Sequence, residues 1–290
     1  MEKANLDDRE ELIGLWKNVF GDTDEFLSDF FDSVFDADNT FLIKENGIIA
    51  SVFYMINSDV VLGNKKYSAK YLYAAQTHPG FRKKGFMSKL IKSSADYYKA
   101  NGTDFIFLCP ASEHLYDYYG KLGFFTAFYD KFLILTKIEI DKNRNVTGEG
   151  YFCSDFSYTE MRKNIMSKNY ADFDDNFLEF AERSEKSDGG KSISALFEDG
   201  DRVYILCHSD DETLCVTECF SEYGNFNHIL DILKNENSEK FKIKLPADFP
   251  AGVFNFDVKK QGMILDLNGI LNKSNFIDGN EKIYLGQPCE

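Results

Sequence analysis

Between Gln76 and Phe86 the chain reads Gln76-Thr77-His78-Pro79-Gly80-Phe81-Arg82-Lys83-Lys84-Gly85-Phe86, with three consecutive cations between two glycines. Residues of these types, placed where a strand gives way to a helix, suit the chemistry of gripping a diphosphate. The first N–H groups of a helix have no intrahelical partner, and the helix dipole favours an anion beside them. Arg82, Lys83 and Lys84 add positive charge, and Gly85 lets the backbone come close to a ligand. Two common phosphate loops are excluded. Gly80 and Gly85 have the spacing that opens a nucleoside-triphosphate loop, but Phe86-Met87 follow where Lys and Ser or Thr are needed. The three-glycine pattern of a dinucleotide fold is also missing. What remains is R-x-x-G-x, in which the main chain does most of the binding.

The flanking segments can position such a loop. Tyr71–Ala75 reads as a strand leading into it. From Phe86 to Lys99 the apolar positions Met87, Leu90, Ile91, Ala95 and Tyr98 recur at helical spacing, and Asn101-Gly102 supplies a stop. Phe105–Cys109 is a short apolar run closed by Pro110, as expected of a strand buried on both faces. Strand, crossover helix and strand make a parallel βαβ unit. Ser112 is placed to cap a second short helix carrying Leu115, Tyr118, Tyr119 and Leu122, which Gly123 ends. Phe132–Leu135 is a further strand.

Two blocks of this region carry a resemblance. Thr77 to Leu90 resembles the acyl-CoA loop of the GNAT superfamily of N-acetyltransferases, [QR]-x-x-G-x-[GA]; Arg82 and Gly85 match its first two anchors, and Met87 departs from the third. The departure removes no donor from the phosphate site. Further on, Asp117-Tyr118-Tyr119-Gly120-Lys121-Leu122-Gly123-Phe124 resembles the family's Y-x-x-x-G-F element and puts Tyr119 in the place of its tyrosine. The opening Leu108-Cys109-Pro110-Ala111-Ser112-Glu113 and the long second half are most similar to the enhanced-intracellular-survival (Eis-like) type. The resemblance implies an α/β (α+β) fold of tandem acetyltransferase-like units, each a mixed sheet with flanking helices, the second copy degenerate. It also implies a sheet that splays beside the strand before the loop, with the pantetheine arm in the gap. Relatives of this type carry a third, sterol-carrier-like domain, which this chain is too short to include.

Composition bounds the rest. A chain of 290 residues can bury two modest cores, and 43% hydrophobic with 28% charged residues is ordinary for a globular protein. The acidic start, Met1 to Asp8, lacks the apolar core of a secretory signal, and no run reaches membrane-spanning length, so a cytoplasmic location without membrane partners is expected. Residues 1–137 hold 16 basic and 19 acidic side chains, leaving 17 and 29 for the remainder, a net of −12 there. That balance argues against nucleic acid as a partner and fits a cationic acceptor drawn to the protein, although surface charge for solubility explains it equally well. A homo-oligomer is compatible with the sequence.

The polar run Asp141 to Gly148 divides the chain into residues 1–140, the catalytic unit, and 141–290, a second unit walling the acceptor cleft. The second half is expected to hold helical matter from Met161 to Arg183 and a turn at Asp188-Gly189-Gly190. Strands at 192–197, 203–208 and 213–220, a helix at 227–234 and a strand at 241–245 follow. It has no R-x-x-G-x loop.

The resemblance implies acetyl-CoA as cofactor, held by Gln76, Thr77, His78, Arg82, Lys83, Lys84, Gly85 and Phe86. Main-chain N–H groups near Gln76 and Thr77 would polarise the carbonyl, and Tyr119 would serve as acid at the leaving sulfur. Tyr119 can equally be read as a core aromatic. His78 is expected to shape the loop. Glu113, Glu218 and the carboxylate of Glu290 are alternative bases. Cys207, His208, Cys215 and Cys219 lack zinc spacings and sit in apolar strand patterns. The aromatic start, Trp16 to Phe35, reads as core helices or as an acceptor-pocket lining. No nucleophile with a paired base is visible, so direct attack of a primary amine of a small cationic molecule or peptide is expected. A protein acceptor remains a third option, and a non-catalytic acyl-CoA-binding regulatory protein is the rival.

Overall fold

A computed structural model describes residues 1–142, 150–165, 167–249 and 254–286. In chain order the first half contains β1 (Glu2–Lys3), α1 (Arg9–Val19), α2 (Asp24–Ser33), β2 (Thr40–Glu45), β3 (Ile48–Leu62), β4 (Lys65–Thr77), α3 (Phe86–Ala100), β5 (Phe105–Leu108), α4 (Glu113–Gly120), β6 (Phe125–Thr136) and α5 (Lys137–Lys142). The second half contains β7 (Tyr151–Cys153), α6 (Tyr158–Arg162), β8 (Asn169–Phe173), α7 (Asp175–Ser187), β9 (Lys191–Phe197), β10 (Arg202–Asp210), β11 (Thr213–Ser221), α8 (Phe226–Leu233), β12 (Lys240–Pro246), β13 (Phe256–Asp266) and α9 (Lys273–Ile277).

The chain divides into two compact units, one of residues 1–127, 171–180 and 262–281, the other of 128–170, 181–261 and 282–290. Two stretches that the sequence reading assigns to the second half, 171–180 and 262–281, thus belong to the first unit. The polar run proposed as a linker falls largely on residues outside the described ones.

In the first unit, β1 to β4 form an antiparallel series, and β5 joins β4 in parallel through the crossover helix α3. Residues Met263 to Asp266 then pair antiparallel with β5 on its other edge. The α3 stripe expected from sequence is present: Leu90, Ile91 and Tyr98 are buried, and the helix ends where Gly102 takes a positive φ of 82°. In α2, the Thr23 side chain accepts the Phe26 N–H, and Leu27, Phe30 and Phe31 form the buried face. Of the aromatic N-terminus, Trp16, Phe30 and Phe31 are core, Phe26 and Phe35 are half-buried, and Phe20 is exposed. Trp16 is 1% exposed, with ring centroids of Phe30 and Tyr54 at 4.8 and 5.1 Å, and its indole N–H donates to Asp22 Oδ2 at 2.6 Å.

The second unit repeats this order with different residues. Strands β9, β10 and β11 are antiparallel, α8 crosses over, β12 returns parallel to β11, and β6 closes antiparallel on β12. The expected strands and helix all appear, each displaced at its ends by at most a few residues. The helical reading of Met161–Arg183 is corrected: α6 ends at Arg162, β8 follows, and α7 begins only at Asp175. Asp174 decides where that helix starts, because its Oδ1 accepts the Phe177 N–H at 2.8 Å. At the other end of α7, a Cβ on Gly190 would lie 2.5 Å from the Glu185 carbonyl, so the chain can turn there only with glycine.

Candidate functional site

The loop between β4 and α3 is built from backbone conformation. His78 N–H donates to Ala50 O at 3.0 Å, and its Nδ1 accepts the Gly80 N–H at 3.2 Å, closing a short turn over Pro79–Phe81. His78 therefore shapes the loop. Arg82 Nε returns to Thr77 O at 3.3 Å, and the Thr77 hydroxyl meets that of Ser51 at 2.9 Å. Beyond this brace the chain places Lys83 at φ 63° and Gly85 at φ 79°, both left-handed. Alternation of this kind turns successive N–H groups into a concave anion-binding nest.

Helical bonding begins with Lys89 N–H to Gly85 O at 3.0 Å. Among the described residues, no protein acceptor meets the N–H groups from Lys83 to Ser88. Gly85 stands at the N-cap and has no side chain to fill the place. Arg82, Lys83 and Lys84 are exposed around it, with Lys84 Nζ 4.9 Å from the centre of the Phe81 ring. These residues fit a diphosphate: a row of orphaned donors, a left-handed cap and loose positive charge.

Beside the loop the sheet forks. Strands β4 and β5 pair from Ala69↔Phe105 to Tyr71↔Phe107, after which β4 runs on to Thr77 against β3 alone. A bulge bends it on the way: Val52 faces Gln76 while Tyr54 faces Tyr73, and Ala74 takes φ 48°. Gln76 itself is 1% exposed, and its side-chain amide makes no hydrogen bond. It lies close to the equally buried Tyr54 hydroxyl, whose pKa burial raises and the amide acts to lower. The Gln76 side chain thus belongs to the core, and only its main chain is available for ligand chemistry.

Tyr119 sits on α4, 7% exposed, in the same hydrophobic cluster as Leu90, Leu108 and Phe124. Burial raises its pKa above that of a free phenol, and Tyr118 and Cys109 add to the effect, so its proton is held firmly. Ser112 is at the N-cap of α4 as expected, but makes no capping bond; its hydroxyl turns to His114 Nδ1 at 3.1 Å. Sequence reasoning missed the tie between α4 and the nest, in which the Tyr118 hydroxyl lies 2.9 Å from that of Ser88 in the first turn of α3. Tyr118→Phe is expected to cost about 1 kcal/mol in urea denaturation. A change under about 0.3 kcal/mol would mean that solvent replaces the tie.

The candidate bases separate. Glu113 is exposed at the start of α4. Glu218 is completely buried in the second unit, held by the Tyr158 hydroxyl and by Arg162, whose Nε is 3.5 Å away, so no acceptor amine reaches it. Glu290 lies outside the described residues. Cys207 and Cys219 are core residues, and burial pushes the Cys207 thiol up to about 12 and the Cys219 thiol higher still.

In the second unit the place equivalent to the nest is filled from within. Asn225 caps α8, and its side chain accepts the Asn227 N–H at 3.1 Å. Below it, Asp201 gathers the Ser221 hydroxyl and His228 Nδ1, both at 2.7 Å. Asp201 stands between the serine and the histidine, so the imidazole cannot take the serine proton and no nucleophilic triad forms.

Among the described residues no helix is long and apolar enough to cross a membrane. Residues 1–127 match the family model of the acetyltransferase (GNAT) domain. Comparison with curated proteins gives no match. Solved structures similar to the chain include a GCN5-related N-acetyltransferase from Anabaena variabilis (12% identity, TM-score 0.72, covering 92% of this chain and 72% of that one). Eis1 from Mycobacterium abscessus is similar at 10% identity and TM-score 0.73, covering 91% and 72%. A tandem GNAT protein from the clavulanic acid biosynthesis pathway is similar at 9% identity and TM-score 0.50, covering 92% and 97%. Identities this low establish shared fold and leave substrate open. The nest and the forked sheet lie within the residues that match the acetyltransferase (GNAT) domain, and the similar solved structures share that fold.

Proposed function

We propose that this protein is an acetyl-CoA-dependent N-acetyltransferase acting on a primary amine of a small cationic molecule or peptide by direct attack in a ternary complex. The observation that carries this reading is the row of unpartnered N–H groups from Lys83 to Ser88 beside a forked sheet. The nest would hold the diphosphate, with Arg82, Lys83 and Lys84 supplying charge. When bound, the cofactor supplies an activated acetyl thioester. Main-chain N–H groups near Gln76 and Thr77, where β4 has left β5, would polarise the carbonyl. Tyr119, kept protonated by its surroundings, donates a hydrogen bond to a departing sulfur. Its raised pKa makes it a better donor to an anion than a complete proton source.

The test is thiol release from acetyl-CoA with a panel of polyamines, aminoglycosides and peptides. Tyr119→Phe is expected to lower kcat by about 10²–10⁴-fold with little change in KM for acetyl-CoA. Wild-type turnover in the variant would remove Tyr119 from the chemistry. Tight coenzyme A binding by the wild-type chain without thiol release from any acceptor would favour the rival reading, a non-catalytic acyl-CoA-binding regulator.

A further inference from the structure

Strands β10, β11 and β12 bring three reactive side chains into one row. In the antiparallel pair of β10 and β11, His208 stands directly opposite Cys215, and in the parallel pair of β11 and β12, Cys215 stands beside Lys242. Side chains alternate across a strand. Leu214, Val216 and Ile243 enter the core under α8, as do Cys207 and Cys219, so Cys215 and its two neighbours belong to the opposite face. There they line a cavity of about 120 Å³, together with Phe132, Asp210 and Thr217 among others.

We propose that Cys215, His208 and Glu185 form a nucleophilic thiol site that reacts with small hydroperoxides. Residues directly opposite in an antiparallel pair have Cβ atoms about 4.5–5.5 Å apart, which puts the thiol within reach of the imidazole. The ring is oriented from α7: Glu185 Oε1 lies 2.7 Å from His208 Nδ1 and also receives the Thr217 hydroxyl at 3.2 Å. A carboxylate at Nδ1 fixes the tautomer with its proton there and leaves Nε2 as the basic nitrogen. Nucleophile, base and orienting group then stand in the order that activation requires. The cluster around Asp201 lacks that order, since its carboxylate separates Ser221 from His228.

Activation rests on proton transfer to His208, and no excess of positive charge is needed. The charged groups around the thiol are His208 and Asp210 from β10, Lys242 and Lys244 from β12 and Glu185 from α7, so both signs are present. Cys215 is half-buried and the His208 side chain is 34% exposed, which keeps the site open to solutes. Size selects the reactant. Pockets for drug-sized molecules run to about 300–1,000 Å³, whereas this cavity admits only a few atoms. In the step, His208 Nε2 takes the thiol proton and the sulfur attacks the nearer peroxide oxygen. Two electrons pass from sulfur to the peroxide and the O–O bond breaks. Cys215 becomes a sulfenic acid, and the departing oxygen takes the proton from His208 and leaves as water or an alcohol. The site is separate from the acyl-CoA nest and does not depend on that reading.

The test treats the full chain with hydrogen peroxide in the presence of dimedone, which traps sulfenic acid, and maps the label by peptide mass spectrometry. Cys153, exposed on β7 with Ala195 as its register partner, is the internal reference. At about pH 7 Cys215 is expected to be labelled at least about tenfold faster than Cys153. His208→Gln is expected to bring Cys215 down to the reference rate, and Glu185→Gln to slow it by at least about threefold. At about pH 9.5, where a thiol ionises without a base, Cys215 in both variants is expected to match wild type. That recovery separates loss of the base from loss of fold or access. The proposal is overturned if Cys215 is labelled no faster than Cys153, if either variant is labelled as wild type is at about pH 7, or if the deficit persists at about pH 9.5.

Discussion

Gly85→Glu is expected to leave a folded chain that no longer binds coenzyme A, with affinity down by at least about 10²-fold. Gly85 has φ 79°, and a Cβ built on it meets nothing within 4 Å. The substitution therefore causes no collision and costs only the left-handed conformation, about 1–2 kcal/mol. The loss comes from electrostatics. A carboxylate at the N-cap would accept the N–H groups between Lys83 and Ser88 and repel an incoming diphosphate. Gly85→Ala is the control, since it bears the same backbone strain without the charge and should lose no more than about tenfold. Titration calorimetry with coenzyme A reads both. Affinity within tenfold of wild type in the glutamate variant would refute the assignment of the loop.

Arg162→Met is expected to destabilise the second unit by about 3–5 kcal/mol. The side chains of Arg162 and Glu218 are 2% and 0% exposed, and Arg162 also donates to the Leu285 carbonyl at 3.2 Å. Tyr158 donates to the same carboxylate, and burial and that carboxylate together keep its phenol protonated. Removing the guanidinium leaves a buried anion with a phenol as its main partner. Replacing Glu218 by Gln in the same chain removes the stranded charge, so the double variant should recover much of the stability. Urea denaturation of the two variants measures this. A single variant within about 1 kcal/mol of wild type, or a double variant no better than the single, would show that solvent or rearrangement already satisfies Glu218.

The nest was legible in the sequence because its chemistry is local: a strand, a basic turn with Gly85 and a periodic helix all fall within neighbouring residues. Strands β9 to β12 could be read for the same reason, since period and turn residues suffice to mark them. Segments defined by distant partners could not. The sequence reading assigns no element to residues 263–266, because nothing nearby shows that they pair with β5. β8 was lost inside a helical reading because Phe173 and Phe177 also fit helical spacing; the signal overlooked was Asp174, a residue fit to start a helix three positions before Phe177. Glu218 looked like any other carboxylate among 48 acidic residues, and only its burial shows it to be structural. The bond between Ser88 and Tyr118 joins residues on two different helices and has no mark in either motif.

At the head of α8 the Asn225 side chain takes the Asn227 N–H, a donor of the kind that the head of α3 leaves open. Meander, crossover helix and return strand are the same in both units, so a single short amide decides whether such a helix end is complete in itself or stands ready for an anion.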